Sequence, residues 1–347
     1  MNQRPGDRDE AMGRDIGPAA PARPRLSILI PAYNEAENLP KTIREIQGHL
    51  LRTEFADLHE IIVVDDHSTD GTYEAARALQ GQNVRCLRLS MNSGSHTAMR
   101  MGLPFTRGDV VIVLSADGQD NPQAIPDLLG KWKQGAQVVW ALRRSRKSEP
   151  FFKKLAATAF YRILAFLLKS RENPIDLSRA DFYLLDRRMV AAINACREKN
   201  TSLFGLISWM GFRQDAVEYD RRERTIGKSK WSVRKRVGLA KDWIVAFSGL
   251  PLKAISIVGG IIASLGFLYA LYIIGRALKG NPVPGWSSLM VVILLLGGLQ
   301  MLMFGVLGEY LWRNLDESRK RPLAFIEKST LEEPERLEHR PPKSLPH

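Results

Sequence analysis

Two stretches near the C-terminus carry no charged residue: Ala254–Gly275, 22 residues long, and Gly285–Gly308, 24 residues long. At about 1.5 Å per residue, each helix would reach roughly 33 to 36 Å, enough for a hydrocarbon core of about 30 Å. Buried core helices are the alternative. Against them stand the lengths, Trp286 and Trp312 near the ends, and an apolar, glycine-rich composition all round. Only Arg276–Pro284 joins the two runs, so a two-helix transmembrane hairpin is expected over 250–312.

The connection carries Arg276 and Lys279. The preceding flank is far more basic, with Arg221, Arg222, Arg224, Lys228, Lys230, Arg234, Lys235, Arg236, Lys241 and Lys253; Arg313, Arg319, Lys320 and Arg321 follow. The positive-inside rule therefore puts both flanks and the large N-terminal part in the cytoplasm. The net charge of +13 calls for an anionic partner. Its cations gather beside the membrane runs rather than alternating with aromatics, which argues against nucleic acid. Two more segments, Pro150–Ser170 and Trp231–Phe247, set apolar residues on one helical face and basic ones on the other. Helices lying in the headgroup plane are expected there, the second belonging to a juxtamembrane helix over 231–249. Residues 1–25 mix both charges with Pro, Gly and Ala and lack an apolar core stretch, so a disordered leader without a signal peptide is expected. Residues 313–347 read as a cytoplasmic tail. Cys86 and Cys196 are too few for a disulfide framework and fit a reducing compartment.

Between these ends, over 26–230, strands alternate with helices. LSILIPAYN (Leu26–Asn34), EIIVVDDHSTDGT (Glu60–Thr72), VRCLRLS (Val84–Ser90) and DVVIVLSADGQD (Asp109–Asp120) read as strands running into polar turns. The intervening segments read as helices. This implies an α/β fold with a mainly parallel, Rossmann-like sheet covered on both faces. Ligands of such sheets bind beyond the carboxyl ends of the strands. Three polar clusters fall there: Tyr33-Asn34-Glu35, Asp65-Asp66 and Asp117-Gly118-Gln119. Crowded carboxylates repel each other and an anionic ligand unless a cation sits between them, and a hard divalent ion takes carboxylates plus substrate phosphates. Asp65 and Asp66 can instead accept hydrogen bonds from a base or ribose. An ordinary turn and helix cap is the plain reading of Asp66–Gly71, and for Asp70 it suffices. Neither GxGxxG nor GxxxxGK[ST] occurs, which argues against a Rossmann dehydrogenase or a phosphate-loop NTPase, and neither zinc-ligand spacing nor a GxSxG elbow appears.

SILIPAYNEAENLP, EIIVVDDHSTDGT, SADGQDNP, ADFYLLDRR, RTIGKSKWS and FSGLPLK, in this order before two apolar runs, resemble the family 2 glycosyltransferases that act on polyprenyl phosphates. That family includes dolichol-phosphate mannosyltransferases and bacterial undecaprenyl-phosphate glycosyltransferases. The likeness runs from about Leu26 to Pro322, and VPGWSSL and LGEYLWR resemble the bacterial branch. It implies a GT-A domain that moves a sugar, with inversion, from a nucleotide sugar to a lipid phosphate, the nucleotide being UDP in the bacterial branch and GDP in a mannosyltransferase alternative. Pro31, Tyr33, Glu35 and Asp66 match positions around base and ribose, with Asp65 beside them. Asp117 matches the second acid of an Asp-x-Asp motif and, with Gln119, is expected to hold Mg²⁺ or Mn²⁺. Asp181 matches an acid near the reacting phosphate, and Arg224, Ser229 and Lys230 match a loop closing over donor and acceptor phosphates. Members of the family include monomers and homo-oligomers.

Three positions depart from that pattern: Ser115 for the first Asp of Asp-x-Asp, Ser95 for a frequent Lys, and Tyr183 for a frequent Arg. The first implies weaker metal binding; the other two lie where sugar or phosphate selectivity would be set. The chemistry asks for no general base, because a phosphate monoester is already anionic near pH 7. The plain reading of Asp181 is a salt bridge to Arg179, Arg187 or Arg188. Rival functions are a processive polysaccharide synthase, whose Gln-x-x-Arg-Trp motif is absent, and a non-catalytic nucleotide-sugar-binding protein in which Ser115 marks lost activity.

Overall fold

The structure, a computed structural model, describes residues 25–331 except 82, 145–174, 176, 200, 223–249 and 280–284. Both expected interfacial helices, Pro150–Ser170 and 231–249, therefore lie outside the described residues, as do the leader and most of the tail.

The chain builds one eight-stranded sheet in the order β7-β5-β6-β4-β1-β2-β3-β8. Strands β1 (Leu26–Ala32), β2 (His59–Asp65), β3 (Val84–Leu89) and β4 (Val110–Val113) match the four read from the sequence. Their aliphatic runs are buried on both sides because helices cover both faces. Ile28, Ile30, Ile61, Val63 and Ile112 meet helices α1 (Leu39–Leu50), α2 (Thr72–Arg77) and α4 (Ile125–Lys133). The alternate residues Leu29, Ile62, Val64, Val111 and Val113 meet α3 (Ser95–Gly102), α5 (Arg187–Ala195) and α6 (Leu203–Trp209). Helix α1 shows how sequence sets this docking. Leu39, Ile43, Ile46 and Leu50 recur at helical spacing and are all fully buried, each contributing about 1.5–3 kcal/mol. Pro40 sits in the first turn, where its missing N–H breaks no helical hydrogen bond.

The sheet is mainly parallel, as expected, with two strands reversed. Strand β6 (Ala180–Asp186) lies antiparallel to both of its neighbours, β4 and β5 (Val138–Arg143), and β7 (Gln214–Tyr219) pairs parallel to β5. Strand β8 (Ile326–Ser329) closes the opposite edge antiparallel to β3. Alternating strands and helices signal an α/β sheet but carry no direction for a strand that follows a long insertion. The reversal matters for function: β6 brings its first residues, not its last, to the edge where β1, β2 and β4 end.

Helix α7 (Leu250–Leu278) and helix α8 (Trp286–Ser318) hold the two charge-free runs. They touch where Gly259 leaves room for Met303, whose Cε lies 3.0 Å from the place a Cβ would take. Ile257, Leu265, Phe267 and Leu268 are all more than half exposed, as are Met301 and Phe304 on α8. Among the described residues, one window, Ile255–Ile273, is long and apolar enough to cross a membrane by length and composition. The expected pair of crossings therefore rests on one such window and not two. Helix α8 continues beyond its apolar run to the α/β domain, where Glu317 accepts a hydrogen bond from the backbone N–H of Lys199 at 2.7 Å.

Candidate active site

Two clusters form at the carboxyl edge of the central strands. The first joins the turns after β1 and β2. Asn34 takes the left-handed conformation (φ 53°), its N–H donates to Ser68 Oγ at 2.9 Å, and its side-chain oxygen accepts from Thr69 N–H at 2.8 Å. Glu35 N–H donates to Thr72 Oγ1 at 2.9 Å. Asp70 accepts from Thr72 N–H and from Ala36 N–H, both at 3.1 Å, so it ties the two turns as well as shaping its own. Pro31 ends up half-buried, Tyr33 is 36% exposed at the turn, and Glu35 is buried against Asn38, whose amide donates to it at 2.7 Å.

Asp65 and Asp66 sit under this cluster. Asp65 is fully buried; Oδ1 accepts from Ser68 N–H at 3.0 Å and Oδ2 from Arg88 at 2.6 Å. Asp66 accepts from Ser93 N–H at 2.7 Å and Gly94 N–H at 2.8 Å, which latches the loop entering α3 onto the end of β2. Burial pushes the Asp66 carboxyl above its ordinary range despite those two hydrogen bonds.

The second cluster answers why β4 ends in carboxylates. Ser115 Oγ donates to Asp117 Oδ1 at 2.8 Å, so the residue replacing an acid orients its neighbour instead of repelling it. Gly118, at φ 72°, makes the left-handed turn that returns Gln119 N–H to Asp117 at 3.1 Å. Asp120 is buried and accepts from Ser115 N–H at 2.7 Å; burial, then the nearby Asp181 and Asp117 charges, push its carboxyl up to about 6.

Asp181 reaches this corner because β6 runs backwards. The pairing with β5 slips between Ala141 and Leu142, leaving Asp181 as the extra residue of a bulge, a device that re-aims a side chain. Its carboxylate accepts from Tyr219 Oη at 2.7 Å and pairs with Arg143 at 3.3 Å and Arg221 at 3.2 Å. The sequence pointed to other partners. Arg179 instead holds Glu218 and the Arg143 carbonyl, Arg187 the Gly108 carbonyl, and Arg188 N–H the Asp186 side chain. Arg221 also donates to Gln119 Oε1 at 2.8 Å and so bridges the two acidic motifs. Arg222 ties the same segment down through Glu45, Asn121 and the Gln119 carbonyl.

Arg143, Tyr219 and Arg221 are the neighbours that the sequence did not single out as a site. Arg224, Ser229 and Lys230 lie outside the described residues, close in sequence to Arg222. Tyr183 is not placed to set selectivity: it is buried, packs on Trp140 and Phe204, and its hydroxyl donates to Met99 Sδ at 3.2 Å. Ser95 is exposed at the start of α3.

Among the described residues no group of three His, Cys, Asp or Glu side chains forms a cation site. Asp117 and Gln119 nonetheless supply hard oxygen donors, and a magnesium-type ion is commonly held by one or two carboxylates with substrate phosphates and water completing its shell. The donor set fits such an ion once Gln119 Oε1 turns from Arg221.

The edge therefore joins a pair of interlocked turns to an acidic corner crossed by guanidiniums. Residues 27–191 match the family described as Glycosyl transferase family 2. A Bacillus subtilis protein named "Uncharacterized glycosyltransferase YkcC" is 37% identical over 308 residues, covering 88% of this chain and 94% of its own length. The "SfII prophage-derived bactoprenol glucosyl transferase" of Shigella flexneri is 38% identical over 311 residues, covering 88% of this chain and 98% of its own. A Synechocystis protein named "Uncharacterized glycosyltransferase sll0501" is 38% identical over 304 residues, covering 87% and 94%. Identity at that level over nearly the whole of each relative shows the family: this chain belongs to glycosyl transferase family 2 and is a glycosyltransferase.

Proposed function

We propose that the protein transfers a sugar, with inversion, from a UDP-linked donor to a polyprenyl phosphate at the cytoplasmic face of a bacterial membrane. The observation that carries this reading is the reach of the likeness. The family match stops at residue 191, yet 38% identity to a bactoprenol glucosyl transferase extends over 98% of that relative. The exposed apolar sides of α7 and α8 support a membrane hairpin, since a soluble chain rarely leaves so much apolar surface in water.

In this reading the turns carrying Pro31, Tyr33, Glu35 and Asp66 receive base and ribose, with Asp65 holding the Ser68 N–H of the second turn. Asp117 and Gln119 would hold Mg²⁺ or Mn²⁺, which when bound neutralises charge on the departing diphosphate. Asp181 has no proton to remove from an acceptor that is already anionic. Its geometry suits another task, which is to align Arg143 and Arg221 on the acceptor phosphate so that attack at the anomeric carbon is in line. Arg221 Nε is buried without a hydrogen-bond partner among the described residues, a cost that a phosphate oxygen would relieve. The family resemblance assigns Arg224, Ser229 and Lys230, which lie outside the described residues, to the same phosphates.

Replacing Asp117 by asparagine tests the reading. Labelled-sugar transfer is expected to disappear while fold and membrane attachment persist; full activity in Asp117→Asn would sink the metal role.

A further inference from the structure

We propose that the strand following the second apolar helix is part of the donor site, and that Glu327 is a positioning residue for nucleotide binding. The inference rests on the reading above that the Asp65–Asp66 turn receives base and ribose. The segment after α8 does not hang free. Ser90 N–H donates to the Phe325 carbonyl at 2.9 Å, Thr330 N–H to the Cys86 carbonyl at 2.9 Å, and Ala324 and Leu331 are buried in the core on the α3 side. In the sheet, Asp65 on β2 is the register partner of Arg88 on β3, and Arg88 that of Lys328 on β8. The register then slips between Arg88 and Leu89, leaving Glu327 as the extra residue of a bulge.

That bulge closes a chain of charges. Glu327 accepts from Arg88 Nε at 2.9 Å, while the other arm of the same guanidinium donates to Asp65 at 2.6 Å. His67 lies between, its Nδ1 3.1 Å from the Leu89 carbonyl and 3.5 Å from Glu327. A guanidinium is a planar fork that cannot turn one arm without turning the other. Fixing Nε on Glu327 therefore fixes Nη1 on Asp65, and Asp65 in turn holds the Ser68 N–H of the donor turn. Ser90, pinned by Phe325 just before β8, is three residues from Ser93, whose N–H is held by Asp66. The strand thus braces both segments that frame the nucleotide, and through α8 it joins that bracing to the apolar helices.

The test uses the full chain in detergent, with UDP as the titrant and labelled donor for rates. Glu327→Ala is expected to weaken UDP binding and raise donor KM about tenfold, with kcat and acceptor KM within twofold and Tm nearly unchanged. Glu327→Gln, which keeps an acceptor for Arg88 Nε, falls between. If Glu327→Ala does not fold, Glu327→Gln and Arg88→Lys carry the test, and the same split between donor KM and kcat is expected. Donor KM and UDP affinity within twofold of the parent in the folded variants would overturn the proposal. Asp66→Asn separates the two readings. Weakened UDP binding there with none in the Glu327 variants defeats this inference alone, whereas intact binding in Asp66→Asn defeats the donor-site reading itself.

Discussion

Asparagine at position 181 removes a charge at almost no cost in volume. The Asp181 side chain is 10% exposed and its carboxylate serves Tyr219, Arg143 and Arg221. Orphaning a fully buried charge costs about 3–5 kcal/mol. Arg143 and Arg221 are 33% and 34% exposed, so water recovers much of that, leaving roughly 1–2 kcal/mol. At about 2–4 °C per kcal/mol, Tm falls by roughly 2–8 °C. Catalysis suffers more, because both guanidiniums lose the partner that aims them. Loss of one aligned electrostatic group costs about 10²–10³ in kcat. Initial rates of labelled-sugar transfer into lipid, measured beside UDP binding, check this. The expected result is kcat down by that factor, UDP affinity within threefold, and a pH–rate profile of unchanged shape. A kcat within threefold of the parent would refute the alignment role. A profile that lost one limb would mean that Asp181 moves a proton after all.

The other expectations concern the acidic corner. Asp120 has a folded pKa of about 6 against 3.8 for an ordinary aspartate, so between those values the folded state keeps a proton that the unfolded state has lost. Stability from this group is highest below about pH 4 and falls as pH rises to about 6, by roughly 3 kcal/mol. In EDTA, thermal unfolding should show the parent losing about 3 kcal/mol relative to Asp120→Asn as pH rises through that window; a flat difference would contradict it. Ser115→Asp replaces a donor to Asp117 with a like charge, costing about 1–4 kcal/mol without a cation. Its Tm should drop in chelator and recover in Mn²⁺ by more than the parent's does, and equal Mn²⁺ shifts would discount the metal corner.

What the sequence conveyed followed from pattern. Aliphatic runs ending in Asp65-Asp66 and Ser115-Ala116-Asp117 located both strands and the edge where ligands bind. Direction did not come through: nothing in ADFYLLD says that β6 runs against β4, so the guanidiniums around Asp181 were sought among its sequence neighbours. They come instead from Arg143 on β5 and Arg221 just after β7, some forty residues away on either side. IEKS, exposed along its whole length, offered no alternation to mark a strand, and only its pairing with β3 makes it one. Tyr183 shows the converse error. Beside Asp181 in a motif it looked like a selectivity residue, yet the sheet turns its ring into the core.

Transfer to lipid is the most direct test. The purified full chain, in liposomes holding undecaprenyl phosphate, is given a sugar-labelled UDP donor with Mg²⁺ or Mn²⁺, and the organic phase is counted and its product hydrolysed. Label carried as a phosphate-linked sugar on the polyprenol, and lost in EDTA, is the expected result. Donor breakdown that releases free sugar across a panel of UDP-sugars, with the lipid unlabelled, would contradict it.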